Sequence, residues 1–126
     1  MSTEAERRRF ERLSTAGKPY AVRFHLHGRE VLGARLANLS ACGCGLEVQM
    51  VDAADLEAGV ALQALYLEHP DLPFVPLEGT VVRVLGKVSG KTTGYVLVGV
   101  DFTDITPMVQ ELIQGHVQAQ QAGIGP

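Results

Sequence analysis

The sequence predicts a mainly β protein, in which a six-stranded antiparallel barrel is followed by one carboxy-terminal helix. Six short stretches are either alternately apolar and polar or rich in valine, and they follow one another at short spacing. Near residue 106 the apolar spacing changes to that of a helix. The chain has 126 residues and no linker long enough to divide it, so it holds one domain. Strands at this spacing with one terminal helix are typical of a small barrel.

The strands are predicted from alternation, because successive side chains of a strand point to opposite faces. In chain order they cover residues 20–27, 30–38, 46–50, about 60–68, 77–85 and 94–102. Gly28-Arg29 forms the turn that joins the first two strands into a hairpin. The polar stretch 52–59 interrupts the strands, and it either forms a helical turn or remains irregular. Residues 69–76 form a proline-rich loop, and residues 86–93 form the last hairpin loop.

The helix is predicted to begin at Thr106-Pro107, which supplies an N-cap and a proline suited to the first turn. Its apolar stripe, at helical spacing, consists of Val109, Leu112, Ile113, His116 and Val117. We expect this stripe to lie across an open face of the sheet, with His116 packed. The domain organisation expected is an arginine-rich arm over 1–19, the barrel and helix over 20–121, and a frayed tail over 122–126.

Charge and hydropathy exclude several classes of protein. Residues 1–35 carry eight of the eleven cations and four of the fourteen acids, a net charge of +4, and the remainder carries −7. An acidic chain with a basic amino-terminal part is poorly suited to bind duplex nucleic acid, but it is suited to bind one small anion. No apolar run approaches the length of a membrane span, and the charged amino terminus does not resemble a secretion signal, so a cytoplasmic protein is expected.

An arginine cluster precedes the first strand. It consists of Arg7, Arg8, Arg9 and Arg12. Four guanidiniums so close together repel one another unless an anion or nearby acids offset their charge. A guanidinium can donate two parallel hydrogen bonds to a phosphate or to the edge of guanine, and it can stack on a base. The cluster is therefore either part of an anion site or a solvated arm paired locally with glutamates.

A second candidate follows the second predicted strand, at Asn38, Ser40 and Gly43. Asparagine and serine side chains bond to nearby backbone and glycine permits tight turns, so a structural turn explains this pattern. A turn that exposes backbone N–H groups, a hydroxyl and an amide can also hold an anion and a base edge.

Together, the two motifs resemble the signature of the PilZ domain family, RxxxR followed by (D/N)xSxxG. Arg8 and Arg12 match the first part, and Asn38, Ser40 and Gly43 match the second. The run 98–102 is similar to the last strand of family members, so the resemblance extends from about residue 6 to 116. It implies a PilZ-type barrel with a carboxy-terminal helix, and a receptor for the bacterial second messenger cyclic di-GMP.

The resemblance also implies residue roles. Arg8 and Arg12 would contact phosphates and guanine Hoogsteen edges, and Asn38 would bond to a guanine edge. Ser40 would contact a phosphate or base, and Gly43 would allow close backbone approach. Many family members have aspartate where this chain has Asn38, and the loss of charge predicts weaker binding.

Further residues around the motifs are candidates of lower rank. An arginine at the position of Arg7 favours two intercalated cyclic di-GMP molecules over one in family members. Arg9 either contributes to the site or points to solvent. Arg83, on the fifth predicted strand, is either a surface residue or part of the ligand site.

No catalytic or metal site is expected from the remaining residues. Cys42 and Cys44 could bind metal or respond to oxidation, but small buried side chains are the expected interpretation. His25 and His27 share a strand face but have no third ligand at a convincing spacing. Residues 86–93 lack the spacing of a P-loop, and no nucleophile with a matching base stands out. No cofactor is predicted.

The resemblance therefore predicts a cytoplasmic cyclic di-GMP receptor with no enzymatic activity, of the kind that regulates motility or biofilm formation. The arginine arm is expected to be mobile without ligand and to close over it against the 38–43 turn, and a downstream protein would receive the signal. One alternative is a PilZ-fold adaptor that acts by protein contact in pilus or motility machinery without nucleotide. Another is a barrel for single-stranded nucleic acid, which the few aromatics and the net charge of −3 disfavour.

Overall fold

The computed structural model describes residues 11–87, 90 and 93–123, and it confirms the predicted barrel with its carboxy-terminal helix. The strands are β1 (Leu13–Ser14), β2 (Ala21–Leu26), β3 (Arg29–Ser40), β4 (Gly43–Gln49), β5 (Ala61–Glu68), β6 (Leu77–Leu85) and β7 (Tyr95–Thr103). A 3-10 turn at Met50–Asp52 follows β4, and helix α1 covers Pro107–Gln121.

Six strands close into an antiparallel barrel, in which the order of neighbours is β3, β2, β5, β6, β7 and β4, and β4 pairs again with β3. The short strand β1 is an addition to this barrel. Leu13 and Ser14 pair with Leu39 and Asn38 of β3. They lie along the same edge of β3 that pairs with β2 closer to the start of β3. Residues 13–14, within the predicted arginine arm of 1–19, therefore form a strand against the barrel.

The hairpin of β3 and β4 is longer than the sequence pattern predicts. β3 continues to Ser40, and β4 begins at Gly43 instead of residue 46. The added residues of β4 include two glycines, which carry no apolar alternation, so their strand character arises from pairing with β3 and β7. Met50 lies in the 3-10 turn and not in a strand.

Helix α1 begins as predicted. The Thr106 side-chain oxygen accepts a hydrogen bond from the Val109 N–H at 3.4 Å, and proline occupies the first turn. Ile113 and Val117 are fully buried against the barrel core. Leu112 was predicted to share this buried stripe but is 52% exposed, because the helix presents a narrower face to the barrel than the sequence pattern implies.

A polar cluster holds the middle of α1 to the barrel. The Tyr20 hydroxyl and His116 Nε2 are joined by a hydrogen bond of 2.8 Å, and the Tyr20 ring stacks on the His69 ring at 4.2 Å. Burial lowers the pKa of His116, and the neighbouring His69 lowers it further, whereas Asp71 raises it. His116 is thus a packed residue, as predicted, and helix docking favours its neutral form.

Candidate functional site

A groove lies on the outer face of the barrel, across β3, β4, β7 and β6. Strand pairing aligns one residue from each of these strands, because Asn38 pairs with Gly45, Gly45 with Gly99, and Gly99 with Arg83. The row therefore has a polar side chain at each end and two glycines between them. It forms the floor of a groove with a volume of about 390 Å³.

The two glycines leave the space that the flanking side chains occupy. A Cβ atom on Gly45 would lie 2.5 Å from Asn38 Nδ2, and one on Gly99 would lie 3.2 Å from Arg83 Cγ. A larger residue at either position would displace its neighbour. Because both central residues lack a side chain, the side chains of Asn38 and Arg83 can pack over the floor.

Polar and apolar side chains line different parts of the groove. The polar set comprises Arg12, Asn38, Arg83 and Asp101, and the apolar set includes Val82, Leu85 and Leu97. Asn38 Oδ1 is buried, and no hydrogen-bond partner for it exists among residues 11–87, 90 and 93–123. A buried acceptor without a partner is costly. Because Asn38 Oδ1 has almost no exposed surface, a ligand N–H donor reaches it only when the Asn38 side chain turns outward.

Arg12 reaches the groove because β1 brings it to the end of β3. Leu13, the next residue, pairs with Leu39 and is buried, and the Thr15 N–H donates to the Ala37 carbonyl at 3.0 Å. The predicted site residues Arg7, Arg8 and Arg9 lie outside the described residues. Of the predicted arginine cluster, the structure thus brings Arg12 together with Asn38.

Ser40 is the last residue of β3, directly before the turn to β4, and is 1% exposed. Its hydroxyl donates to the Gly43 carbonyl at 3.3 Å and accepts from the Cys42 N–H at 3.3 Å. These bonds shape the turn, and Ser40 is absent from the residues that line the groove. Its predicted ligand contact stays a prediction.

Gly43 brings the backbones of β4 and β7 together. A Cβ atom there would clash with the Val100 carbonyl oxygen and would lie 3.3 Å from Asp101 Cα. Both obstacles are backbone atoms, which cannot swing aside. This glycine of the motif therefore has a structural role in the barrel.

The cysteines are free, and their environment favours the thiol over the thiolate at Cys44. Burial raises the pKa of Cys44 to about 12; the nearby Asp101 raises it as well, and Arg12 opposes the shift. Such a thiol is a poor metal ligand or nucleophile at neutral pH. In the described part of the chain, no three or more His, Cys, Asp or Glu side chains group as a metal site.

The sequence pattern leaves the role of Arg83 open and does not identify Gly45, Gly99 and Asp101 as parts of the groove. Glycines in strands are a signal of close approach by another group. Which glycines face each other depends on strand register, which one sequence does not show.

Comparisons with known proteins agree with this architecture. The model of the PilZ domain family matches residues 6–119. The PilZ domain of YcgR from Escherichia coli, solved with c-di-GMP, is similar in structure with a TM-score of 0.72 and 17% identity, over 94% of each chain. No curated protein matches the chain.

Two longer proteins share the fold. The inhibitor of motility MotI/DgrA from Bacillus subtilis has a TM-score of 0.71 and 16% identity, over 98% of this chain and 57% of that one. The MrkH–c-di-GMP complex from K. pneumonia has a TM-score of 0.73 and 17% identity, over 92% and 53%. The chain thus spans about half the length of these two proteins. Among residues 11–87, 90 and 93–123, none of the helices combines the length and the apolar character needed to cross a membrane.

Proposed function

The chain belongs to the PilZ domain family, and on this basis we propose that it is a cytoplasmic receptor for cyclic di-GMP that binds the nucleotide without transforming it. Two of the similar solved proteins were determined with c-di-GMP. The observation that carries the proposal to this chain is the groove itself, in which Arg12, Asn38 and Arg83 surround a floor of two glycines.

The chemistry of these residues suits a cyclic dinucleotide. The guanidinium of Arg12 can donate a pair of hydrogen bonds to a phosphate or to guanine O6 and N7. Once the Asn38 side chain turns outward, its buried and unpartnered Oδ1 can accept from the N1–H or N2–H of guanine. Arg83 lies at the far side of the glycine floor, where a second phosphate or base of the same ligand would be within reach.

The remaining site residues complete the proposed receptor. Arg7 and Arg8 supply further guanidiniums from the segment that precedes Arg12, and this segment closes over the ligand against the 38–43 turn. Charge-assisted hydrogen bonds contribute roughly 1.5–3 kcal/mol each, so three or four of them can offset the ordering of a short segment and leave micromolar affinity. Arg7 favours a second, intercalated ligand molecule. A downstream protein then recognises the closed surface.

Calorimetric titration of cyclic di-GMP tests the proposal, with GTP as the ligand control. Wild-type protein should bind saturably, and Arg12→Ala should weaken binding at least 10-fold, or about 1.4 kcal/mol. Arg29→Ala is the matched control, because Arg29 pairs with Asp52 at 3.0 Å and does not line the groove. Its affinity should stay within about two-fold of wild type.

The same titration separates the finer claims. Arg7→Ala should reduce a stoichiometry of two to one if intercalated binding occurs. Folded wild-type protein that gives no heat with cyclic di-GMP at two temperatures would contradict the receptor function. The alternative of an adaptor that acts by protein contact alone would then be preferred.

A further inference from the structure

Helix α1 contacts both motif segments through two glutamines. Gln121 Nε2 donates to the Arg12 carbonyl at 2.8 Å. Gln110 Nε2 donates to the Ala41 carbonyl at 3.4 Å, within the turn that joins Ser40 to Gly43. The two glutamines are separated by about three helical turns, so they project from the same side of the helix, roughly 16 Å apart.

The helix that carries these glutamines is seated on the barrel by other residues. Ile113 and Val117 are fully buried in the core, and His116 is joined to Tyr20 by a hydrogen bond of 2.8 Å. These contacts lie between Gln110 and Gln121 along the helix. The helix thus acts as a fixed support from which both glutamine side chains reach the motif segments.

Arg12 depends on this support more than the turn does. The turn is continuous with β3 and β4, whereas β1 is two residues long and begins immediately after Arg12. The Gln121 bond extends the anchoring of the chain from β1 to the Arg12 backbone itself. Holding this backbone limits where the guanidinium can reach, and preorganisation of that kind lowers the entropy lost on binding.

We propose that Gln121 is a positioning residue for the groove, that Gln110 is its counterpart at the turn, and that α1 is thereby coupled to ligand binding. The inference rests on the proposed function, since the ligand is cyclic di-GMP. Coupling is reciprocal, so a helix that positions Arg12 must itself be held more firmly when ligand binds.

Hydrogen exchange and calorimetry on Gln121→Met test the positioning role. Methionine keeps a similar length and helix propensity but removes the N–H donor. In the free protein, exchange at the amides of 12–14 should become faster, while the barrel strands and the melting temperature stay as in wild type. Affinity for cyclic di-GMP should fall about five-fold, as expected for loss of one neutral hydrogen bond.

Gln118→Met is the matched control, because Gln118 is an exposed residue of the same helix, and within the described residues its side chain makes no hydrogen bond to Arg12 or to residues 38–43. It should leave exchange and affinity unchanged. In wild type, cyclic di-GMP should slow exchange at residues 118–121, and Gln121→Met should reduce that protection.

The outcomes distinguish the positioning role of Gln121 from the receptor function of the protein. Unchanged exchange at 12–14 in Gln121→Met, or an unchanged affinity, would overturn the positioning role while wild-type binding leaves the receptor function intact. Wild-type protein that binds no cyclic di-GMP would overturn the receptor function and the coupling with it. Faster exchange together with weaker binding would support both.

Discussion

The two motif regions of the groove are held in different ways. The 38–43 turn is part of the barrel, since β3 and β4 pair up to Ser40 and Gly43 and the Ser40 hydroxyl bonds across the turn. The segment at 11–15 lies beside the barrel, where it is joined by the short β1, by the buried Leu13 and Thr15, and by a glutamine from α1. The first motif region is therefore part of the barrel sheet, whereas the second is attached to it through a strand of two residues.

Gly43→Ala should produce the largest effect, because it acts on the motif that belongs to the barrel. Its Cβ would clash with the Val100 carbonyl, and two paired backbones would have to separate. We expect a loss of about 3 kcal/mol of unfolding free energy, the upper end for an overpacked site. Denaturant unfolding followed by circular dichroism measures it.

Gly115→Ala is the opposite case of the same substitution. Gly115 lies within α1, and a Cβ there would meet nothing within 4 Å. Alanine should therefore stabilise the protein by about 0.5–1 kcal/mol. Equal losses at Gly43 and Gly115 would show that the β4–β7 approach is not what requires Gly43.

Leu13→Ala should have a smaller effect on stability and a local one on structure. Leu13 is 6% exposed and fixes β1 to the barrel, so truncation should cost about 2 kcal/mol. Hydrogen exchange should rise at 13–15 more than in β4 or β7. Leu32→Ala is the control: Leu32 is 58% exposed on β3, and its removal should change stability by less than about 0.5 kcal/mol. Uniformly faster exchange in Leu13→Ala would mean that this segment unfolds together with the barrel.

Gly45→Ala should separate binding from folding. The obstacle to its Cβ is the Asn38 side chain, which can turn away, so stability should fall by less than about 1 kcal/mol. The displaced Asn38 would lose its place at the groove, and affinity for cyclic di-GMP should fall about 10-fold, or 1.4 kcal/mol. The double variant with Asn38→Ala should bind no worse than Asn38→Ala alone, because both act through one side chain. Additive losses of affinity in the double variant would show that Gly45→Ala does not act through the Asn38 side chain.

The smallest effect is a pH dependence of the unfolding free energy, which arises from His116 where α1 packs on the barrel. Burial and His69 lower the pKa of His116 in the folded state, so the unfolded chain binds the proton more readily. The contribution of neutral His116 is therefore fully present above its ordinary value of 6.5 and is lost as the pH falls below that value. Tyr20 bonds directly to His116, and Asp71 opposes the shift, which moderates the dependence.

Unfolding free energies measured from about pH 7.5 down to about pH 5 check this dependence. The slope in His116→Gln should be shallower than in wild type. His27→Asn is the control, because His27 is exposed in the β2–β3 turn with φ of 51°, a conformation that asparagine tolerates. An unchanged slope in His116→Gln would assign the acid sensitivity to other groups.

Much of the fold could be predicted because its signals are local. Alternation placed the strands that bury Phe24 and Leu26, and Thr106-Pro107 marked the start of α1. The predicted burial of Leu112 is wrong because an apolar stripe indicates which side of the helix faces the barrel, but not how wide a strip of that side the barrel covers. The start of β4 was missed because its glycines carry no pattern of their own.

The candidate site could be predicted only in part. Arg12 and Asn38 were found through the two motifs, and they do line one groove. Arg83, Gly45 and Gly99 could not be assigned because their meeting depends on the register of four strands, and register is a property of long-range pairing. The contacts of Gln110 and Gln121 with the motif segments likewise depend on where the helix docks.

The sequence by itself determined the class of fold, the order of the elements and the residue types available to bind an anion, since these follow from periodicity and local chemistry. Only the tertiary structure decided which side chains share the groove, which motif glycine serves packing, and how α1 reaches both motif segments. The reason is physical: side-chain alternation is written along the chain, whereas closure of the barrel brings together residues such as Arg12 and Gln121 whose proximity no local pattern contains.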